Sequence, residues 1–210
     1  MTYVFDPYSA RNTVGTEAPE WKARFPYIGE ESKLTGEIVG AFRSGERRTL
    51  PEEMPQLLVA DKPRKAWPDI FKTTNGLMVA RAPVRDVLER FDPEVHQFFP
   101  VSFRTKRGLD IEGPWFTVNV TAKQDSIIVE RSRVNINQRA PDRLCSFYSS
   151  STTKDVVVDP ARQSGLHFWR EARFSRSLLG SDTLVKELKA QKLRFFPSFR
   201  ATDLVDGEAR

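Results

Sequence analysis

Residues 76–103, GLMVARAPVRDVLERFDPEVHQFFPVSF, decide the fold that the sequence predicts. The apolar run 76–80 predicts a strand, and Pro83 suits the first turn of a helix because an N–H at that position has no intrahelical partner. The helical spacing of the next apolar residues predicts one buried face: Val84, Val87, Leu88 and Phe91. Asp92-Pro93 ends this helix, and residues 98–103 predict a second strand.

Residues 176–199, RSLLGSDTLVKELKAQKLRFFPSF, restate this pattern. The helical segment recurs at an offset of 100 residues, and the FFP motif recurs at an offset of 97, with the difference placed in the helix-to-strand loop. Ser181 or Asp182 is expected to cap the second helix with a side-chain oxygen. The sequence therefore predicts two related strand-helix-strand units, at about 76–103 and 176–199. Their FFP segments are either buried in the core or exposed as docking edges.

The expected fold class is α+β, with antiparallel sheets that contain the two related units. Residues 1–66 are expected to form an irregular N-terminal segment, because frequent prolines prevent long helices and central strands. Residues 67–210 are expected to form one packed domain with the internal repeat. The other predicted elements are short strands at 37–42, 56–60, 115–120, 125–131 and 156–158, a loop at 50–55, and an exposed polar loop at 146–154.

Composition limits the class of protein. The chain has 210 residues, 39% of them hydrophobic, including 15 Phe and 4 Trp, which argues against disorder for most of its length. Cys145 is the single cysteine, so neither an internal disulfide nor a cysteine-based zinc site is expected. No apolar run is long enough for a membrane span, and the N-terminus is unlike a signal peptide. We therefore expect a cytoplasmic protein without membrane contacts.

The net charge of +5 invites a nucleic-acid hypothesis, but arginine dominates it, with 22 Arg against 11 Lys. Arginine suits protein interfaces and phosphate binding alike. One cluster spans a stretch with a single acidic residue: Arg131, Arg133, Arg139 and Arg143. A second cluster is interleaved with aromatic residues, as in surfaces that stack single-stranded nucleic acid: Arg162, Arg170, Arg173, Arg176 and Arg194, with Phe168, Trp169, Phe174 and Phe195. No nucleic-acid-binding motif accompanies it, so a protein partner is favoured.

The sequence offers little catalytic chemistry. The two histidines, His96 and His167, lie in no metal-binding spacing and beside no nucleophile motif. Cys145 lacks the basic pair that would lower the pKa of its thiol, so a buried structural thiol is expected. We predict no catalytic residues, no metal and no cofactor. An enzyme that uses one of the histidines stays open as an alternative.

Several segments together resemble a family of bacterial immunity proteins from polymorphic-toxin systems, the one numbered eleven. The resemblance covers residues 67–200 in order, and it is carried by Pro68-Asp69-Ile70, the step from Met78 to Leu88, Gln97–Val101, Trp115–Val120 and Asp125–Ser132. In family members a serine opens the helix. Ser181 keeps it in the second unit, whereas Arg81 or Ala82 stands there in the first.

The resemblance implies a small cytoplasmic protein, encoded beside a toxin, that binds that toxin and blocks it. It implies no catalytic residue and supplies no binding site. From their clustering, we expect Arg131, Arg133, Arg139 and Arg143 to contact acidic groups of the toxin. The alternative function is a basic accessory protein that binds nucleic acid. The oligomeric state is left open.

Overall fold

The computed structural model describes residues 1–7, 13–20, 36–42, 44–48, 53–136, 145–147, 155–173 and 177–203. The helices are α1 (residues 36–42), α2 (Ala82–Phe91) and α3 (Asp182–Ala190). The strands within this part of the chain are β1 (Thr2–Phe5), β2 (Thr13–Val14), β3 (Thr16–Glu17), β4 (Leu57–Ala60), β5 (Ile70–Thr73), β6 (Met78–Arg81), β7 (Gln97–Thr105), β8 (Trp115–Asn119), β9 (Lys123–Gln124), β10 (Val134–Ile136), β11 (Cys145–Phe147), β12 (Val157–Val158), β13 (Phe168–Glu171), β14 (Leu178–Ser181), β15 (Ser198–Arg200) and β16 (Thr202–Asp203).

Sheet I is a nearly closed barrel with the strand order β2-β5-β6-β8-β7-β4-β3. Strands β2 and β3 lie at the two ends of this order, and only Gly15 separates them in the chain. The two edges of the sheet are therefore joined directly by the chain. The interior is filled by large rings: the Phe71 centroid lies 5.4 Å from that of Phe103 and 5.7 Å from that of Trp115. Helix α1 packs Ile38, Val39 and Phe42 into the same buried cluster.

Sheet II has the order β15-β1-β14-β13-β9. Its pairing continues beyond β15, because β16 follows after Ala201, β12 pairs with β16, and Val158 of β12 bridges to Ile127, just after β9. The pairing therefore runs round a second ring. Strand β1, from the N-terminus, lies between β14 and β15, which are more than 170 residues away in the chain.

Helices α2 and α3 contact each other between the two sheets. Their buried residues join a single cluster with Met78 of sheet I and Leu178 of sheet II: Val84, Val87, Leu88, Leu184, Val185 and Leu188. Burial of each such side chain stabilises the fold by about 1.5–3 kcal/mol relative to exposure. This apolar layer holds the two sheets together. At its rim, Arg90 Nη2 lies 2.5 Å from Glu187 Oε1.

The sheets are mixed, so the expectation of purely antiparallel sheets was wrong. Antiparallel pairs dominate, but β2–β5, β4–β7, β9–β13 and β12–β16 are parallel. The cause is the same in both sheets. In each sheet the chain leaves one strand, passes through a helix and re-enters the sheet parallel to that strand, with one antiparallel strand between the two. The segments that close each ring then pair in parallel with their neighbours.

Two predicted strands are absent. Residues 37–42 are helical, because the spacing of the apolar residues suits one buried helical face. Ile38, Val39, Ala41 and Phe42 lie on that face, while Glu37 and Gly40 are exposed. Residues 125–131 form one bridge and then a 3-10 helix at Val129–Arg131.

The FFP alignment at an offset of 97 was wrong as well. Phe99 lies opposite Thr117 and Phe199 lies opposite Val4 at matching positions of the two sheets, which is an offset of 100. Phe98-Phe99-Pro100 lies within β7, whereas Phe195-Phe196-Pro197 precedes β15. The latter phenylalanines pack in the core, with the Phe195 ring 5.1 Å from that of Phe5. The division of the chain at residue 66 stays a prediction, although β4 and β7 pair across it.

Candidate functional site

The expected partner-binding arginines belong to the segment that connects the closing bridge of sheet II to β12. Arg131 ends the 3-10 helix and is exposed, as is Arg133. The Arg133 backbone N–H donates to Asp155 O at 2.7 Å, and its Nη1 lies 3.8 Å from Asp155 Oδ1. This contact fixes the backbone and leaves the Arg133 side chain 66% exposed. Arg139 and Arg143 lie outside the described residues.

The β10–β11 hairpin follows this arginine segment directly. Val134 pairs with Phe147 and Ile136 with Cys145, and Ile136 is 43% exposed. Cys145 is described only by its backbone, so its thiol environment stays a prediction. The polar loop expected at 146–154 overlaps β11 at its start, and residues 148–154 lie outside the described part.

The second arginine cluster is dispersed by the fold, so its described members do not form the stacking surface that was considered as the alternative to a protein partner. Phe168 and Trp169 are completely buried, one in the layer between the sheets and the other inside sheet II. Arg170 is buried too, and its Nε donates to Val120 O at 2.9 Å. Arg176 and Phe174 lie outside the described residues.

The remaining arginines of that cluster serve separate local contacts. Arg173 Nη2 lies 2.6 Å from Asp125 Oδ1 and also donates to Ile127 O. Arg162 Nε lies 3.2 Å from Asp159 Oδ2. Arg194 donates to Trp67 O, and its backbone N–H donates to Asp69 Oδ2 at 2.7 Å. These arginines are therefore divided among three contacts in different parts of the fold.

The histidines lie at the junction of α2 with sheet II. Asp92, at the end of α2, accepts N–H groups from His167 at 2.9 Å and from Phe168 at 2.7 Å. Burial would raise the pKa of Asp92, but these hydrogen bonds and the contact with His96 outweigh it, so the pKa lies below its usual value. His96 is buried, with Nε2 3.5 Å from Asp92 Oδ2. It therefore packs beside this junction and is closed to a substrate.

His167 contacts the start of α3. Its Nδ1 lies 2.8 Å from Ser181 Oγ and 3.1 Å from Thr183 Oγ1. Ser181 Oγ also accepts the Leu184 N–H at 3.2 Å, so of the two expected caps, Ser181 and Asp182, the serine is the one that caps the helix. The Ser181 hydroxyl is therefore engaged in capping, and its contact with His167 is a structural one that links the start of β13 to α3.

Glu171 has features of a functional residue, and the sequence analysis missed it. It is 1% exposed inside sheet II, and its Oε2 accepts hydrogen bonds from Ser126 N, Ser126 Oγ and Ile127 N at 2.9, 2.8 and 3.2 Å. These bonds tie the backbone of residues 126 and 127 to β13, while Ile127 also forms its bridge with Val158. Burial raises the pKa of Glu171 to about 7, and the Ser126 bonds oppose this shift. Such a carboxyl can exchange a proton near neutral pH, but its burial leaves no room for a substrate.

A cavity of about 10 Å³ lies between the sheets, bordered by Met78, Val118, Arg170 and Leu178. It has space for about one water molecule, far below the hundreds of Å³ that small-molecule ligands need. Within the described ranges, no group of three or more His, Cys, Asp or Glu side chains could hold a metal ion. Nor does any helix in this part of the chain combine the length and apolar character needed to cross a membrane.

A second exposed charged region also escaped the sequence analysis. It combines two loops at one end of sheet I, and we call it the basic end: Lys62, Arg64, Lys65, Lys106 and Arg107. All five are exposed. The available signals were the runs Lys62-Pro63-Arg64-Lys65 and Lys106-Arg107-Gly108, which are far apart in sequence and meet only because β4 and β7 are parallel neighbours.

Comparison with known proteins identifies the family. The model of the immunity protein family Imm11 matches residues 8–202, which includes nearly all of both sheets. No curated protein matches the chain. The family match also extends through the N-terminal residues that the sequence resemblance hardly touched. The chain therefore belongs to the immunity protein family Imm11.

Proposed function

We propose that this immunity protein binds a cognate secreted antibacterial toxin in a stoichiometric complex and occludes the toxin's active site. The family match over residues 8–202 is the observation that carries the proposal. The protein acts in the cytoplasm, where its partner is the toxin rather than a nucleic acid. The protein performs no chemistry on the toxin. Neutralisation requires only that the complex stays intact, because a toxin whose active site is covered does not reach its target.

The arginine segment after sheet II is one proposed contact. Arg131 and Arg133 are exposed and adjacent to the hairpin that presents Ile136, so charge and apolar surface are combined there. Arginine is enriched at protein interfaces because its planar guanidinium makes several weakly hydrated contacts. Together with Arg139 and Arg143, these residues would face acidic groups of the toxin.

The test uses the toxin domain of the secreted effector encoded beside this protein's gene. Binding to the wild type is measured by calorimetry, and protection is measured by co-expression in a sensitive cell. The double variant R131E/R133E is expected to bind at least about tenfold more weakly, a loss of about 1.4 kcal/mol, because like charges then oppose each other across the interface.

The matched control is K192E, a charge reversal at an exposed residue after α3. It changes the net charge by half as much and lies outside the proposed contact, so it should bind like the wild type. If R131E/R133E binds with wild-type affinity, these arginines are not the contact. If the wild type neither binds nor protects, the proposed function itself is wrong.

The absence of chemistry is tested separately with His167, the more accessible histidine. H167Q keeps a hydrogen-bonding group near Ser181 and should protect cells as well as the wild type does. Loss of protection by a folded H167Q protein that still binds the toxin would instead point to a catalytic role.

A further inference from the structure

The basic end is brought together by strand register. Strands β4 and β7 are parallel, with Ala60 opposite Thr105, so the loops that follow both strands leave sheet I at the same end. Lys106 Nζ lies 4.0 Å from Asp61 Oδ1, which places the hairpin 106–114 beside the loop 61–68.

The cations of the basic end are only partly neutralised. Among the described residues, the acidic contacts of Lys106 are two long ones, both at 4.0 Å, with Glu17 and Asp61. Asp110 is engaged by Arg104 at 2.6 Å, and Glu112 is the other acidic residue of the hairpin. Within the described part of the chain, Lys62, Lys65 and Arg107 have no acidic partner. Three cations are therefore available to an incoming acidic surface.

An apolar side chain stands beside these charges. Leu109 is 65% exposed, more than any other large hydrophobic side chain among the described residues. The hairpin holds it in place: Thr105 N donates to Leu109 O at 2.9 Å, and Leu109 N donates to Thr105 Oγ1 at 3.2 Å. Gly108, at a φ of 80°, makes the turn before it. A fixed backbone means that little conformational entropy is lost when this side chain is buried by a partner.

The other loop adds a half-buried indole. Trp67 packs edge-on against Phe103 at 4.9 Å, and the Arg64 guanidinium lies 5.8 Å above its ring. Arg64 Nη2 also donates to Thr13 O at 2.9 Å, which fixes the loop against β2. Apolar anchors surrounded by polar and charged side chains are the usual composition of a protein interface.

We propose that the basic end is a docking surface for the toxin, and that it fits an acidic protein surface with an apolar pocket that receives Leu109. The inference rests on the proposed function and adds the partner's chemistry and a second contact, separate in sequence from the arginine segment. Because three of its cations have no acidic partner among the described residues, the surface gains attraction from an acidic partner without first breaking ion pairs seen in that part of the chain.

The experiment compares two variants with the wild type, using the same toxin domain. The triple reversal K62E/K65E/R107E is expected to weaken binding by about 10- to 100-fold, mainly through a slower association rate, and wild-type association should slow as salt rises from 50 to 300 mM. L109A should weaken binding by about tenfold, mainly through faster dissociation. Circular dichroism and urea unfolding establish that both variants are folded, and K192E is again the charge control.

The outcomes separate the two proposals. If the wild type binds the toxin and both variants bind equally well, the docking surface is wrong and the proposed function stands. If the wild type does not bind, the proposed function fails. Two further results would overturn the docking surface: a concentration-dependent dimer that L109A dissolves while toxin affinity is unchanged, and retention on single-stranded DNA that the triple reversal abolishes while toxin affinity is unchanged.

Discussion

Five neighbouring strands of sheet I, β2-β5-β6-β8-β7, have the same relative orientations as the five strands of sheet II, β9-β13-β14-β1-β15, but the two interiors differ. Their pairing registers correspond at an offset of 100 residues at several positions, since Leu58 lies opposite Phe103 as Val158 lies opposite Asp203, and Met78 opposite Val118 as Leu178 opposite Phe5. The strand between the two crossover strands is β8 in sheet I and β1 in sheet II. One arrangement of strands is thus formed twice, from different parts of the chain.

The side chains inside the two rings differ. Sheet I has Phe103 and Trp115 where sheet II has Asp203 and Thr2. Thr73 of sheet I, whose Oγ1 accepts the Leu77 N–H at 3.0 Å, corresponds to the buried Glu171. Sheet I is therefore stabilised by aromatic packing, whereas sheet II contains a polar network. This difference shows that backbone pairing alone does not set the chemistry of a barrel interior.

Among the substitutions that test this comparison, the largest loss of stability is expected in sheet I. Trp115→Ala removes an indole that contacts Phe71 and Phe103, and should lower the free energy of unfolding by about 3–5 kcal/mol because a cavity remains among rigid neighbours. Urea unfolding measures it. The exposed Leu109→Ala change is the control and should alter stability by less than about 0.5 kcal/mol. A small effect of Trp115→Ala would mean that aromatic packing does not stabilise this ring.

The next effect is the pH dependence of sheet II. In the folded protein the pKa of Glu171 is about 7, against 4.5 for the ordinary carboxyl, so the folded state holds the proton more tightly than the unfolded state. The stability contribution of this proton is full below about pH 4.5 and is lost as the pH rises to 7, by about 3 kcal/mol at most.

Glu171→Gln should remove this dependence, because an uncharged amide still accepts the Ser126 and Ile127 hydrogen bonds. The variant is expected to be more stable than the wild type at pH 8 by up to about 3 kcal/mol, and about equal to it at pH 4.5. Urea unfolding at a series of pH values measures this, with the exposed Glu130→Gln as the control. Parallel pH profiles of wild type and Glu171→Gln would contradict the assignment.

The smallest effect concerns the two helix starts. Ser181 caps α3 by accepting the Leu184 N–H, whereas Arg81 precedes α2 without a side-chain cap and instead places Nη1 3.2 Å from Asp69 Oδ1. Ser181→Ala should lower stability by about 1 kcal/mol, and Ser181→Asp should restore most of it.

Arg81→Ser sharpens the same comparison at the equivalent position. It should gain a cap but lose the ion pair, so thermal unfolding should change little. A large loss from this substitution would show that the pair with Asp69 outweighs a helix cap at this position.

Elements that depend on local interactions were predicted from the sequence, whereas features that depend on long-range contacts were not. Helices α2 and α3 and strands β6, β7 and β8 were predicted because their apolar spacing is a local property of the chain. The contact at Arg131, Arg133, Arg139 and Arg143 stays a prediction from clustering, whereas the basic end combines two loops that only parallel pairing brings together.

The sequence by itself determined the two amphipathic helices, strands β6, β7 and β8, and membership of the immunity protein family. Only the tertiary structure decided that Thr2–Phe5 completes a sheet made of C-terminal strands, that residues 37–42 are helical, and that Glu171 accepts the N–H groups of residues 126 and 127. The reason is physical. Periodicity specifies which face of a segment avoids water, whereas its partner depends on long-range burial and on which backbone N–H groups find an acceptor.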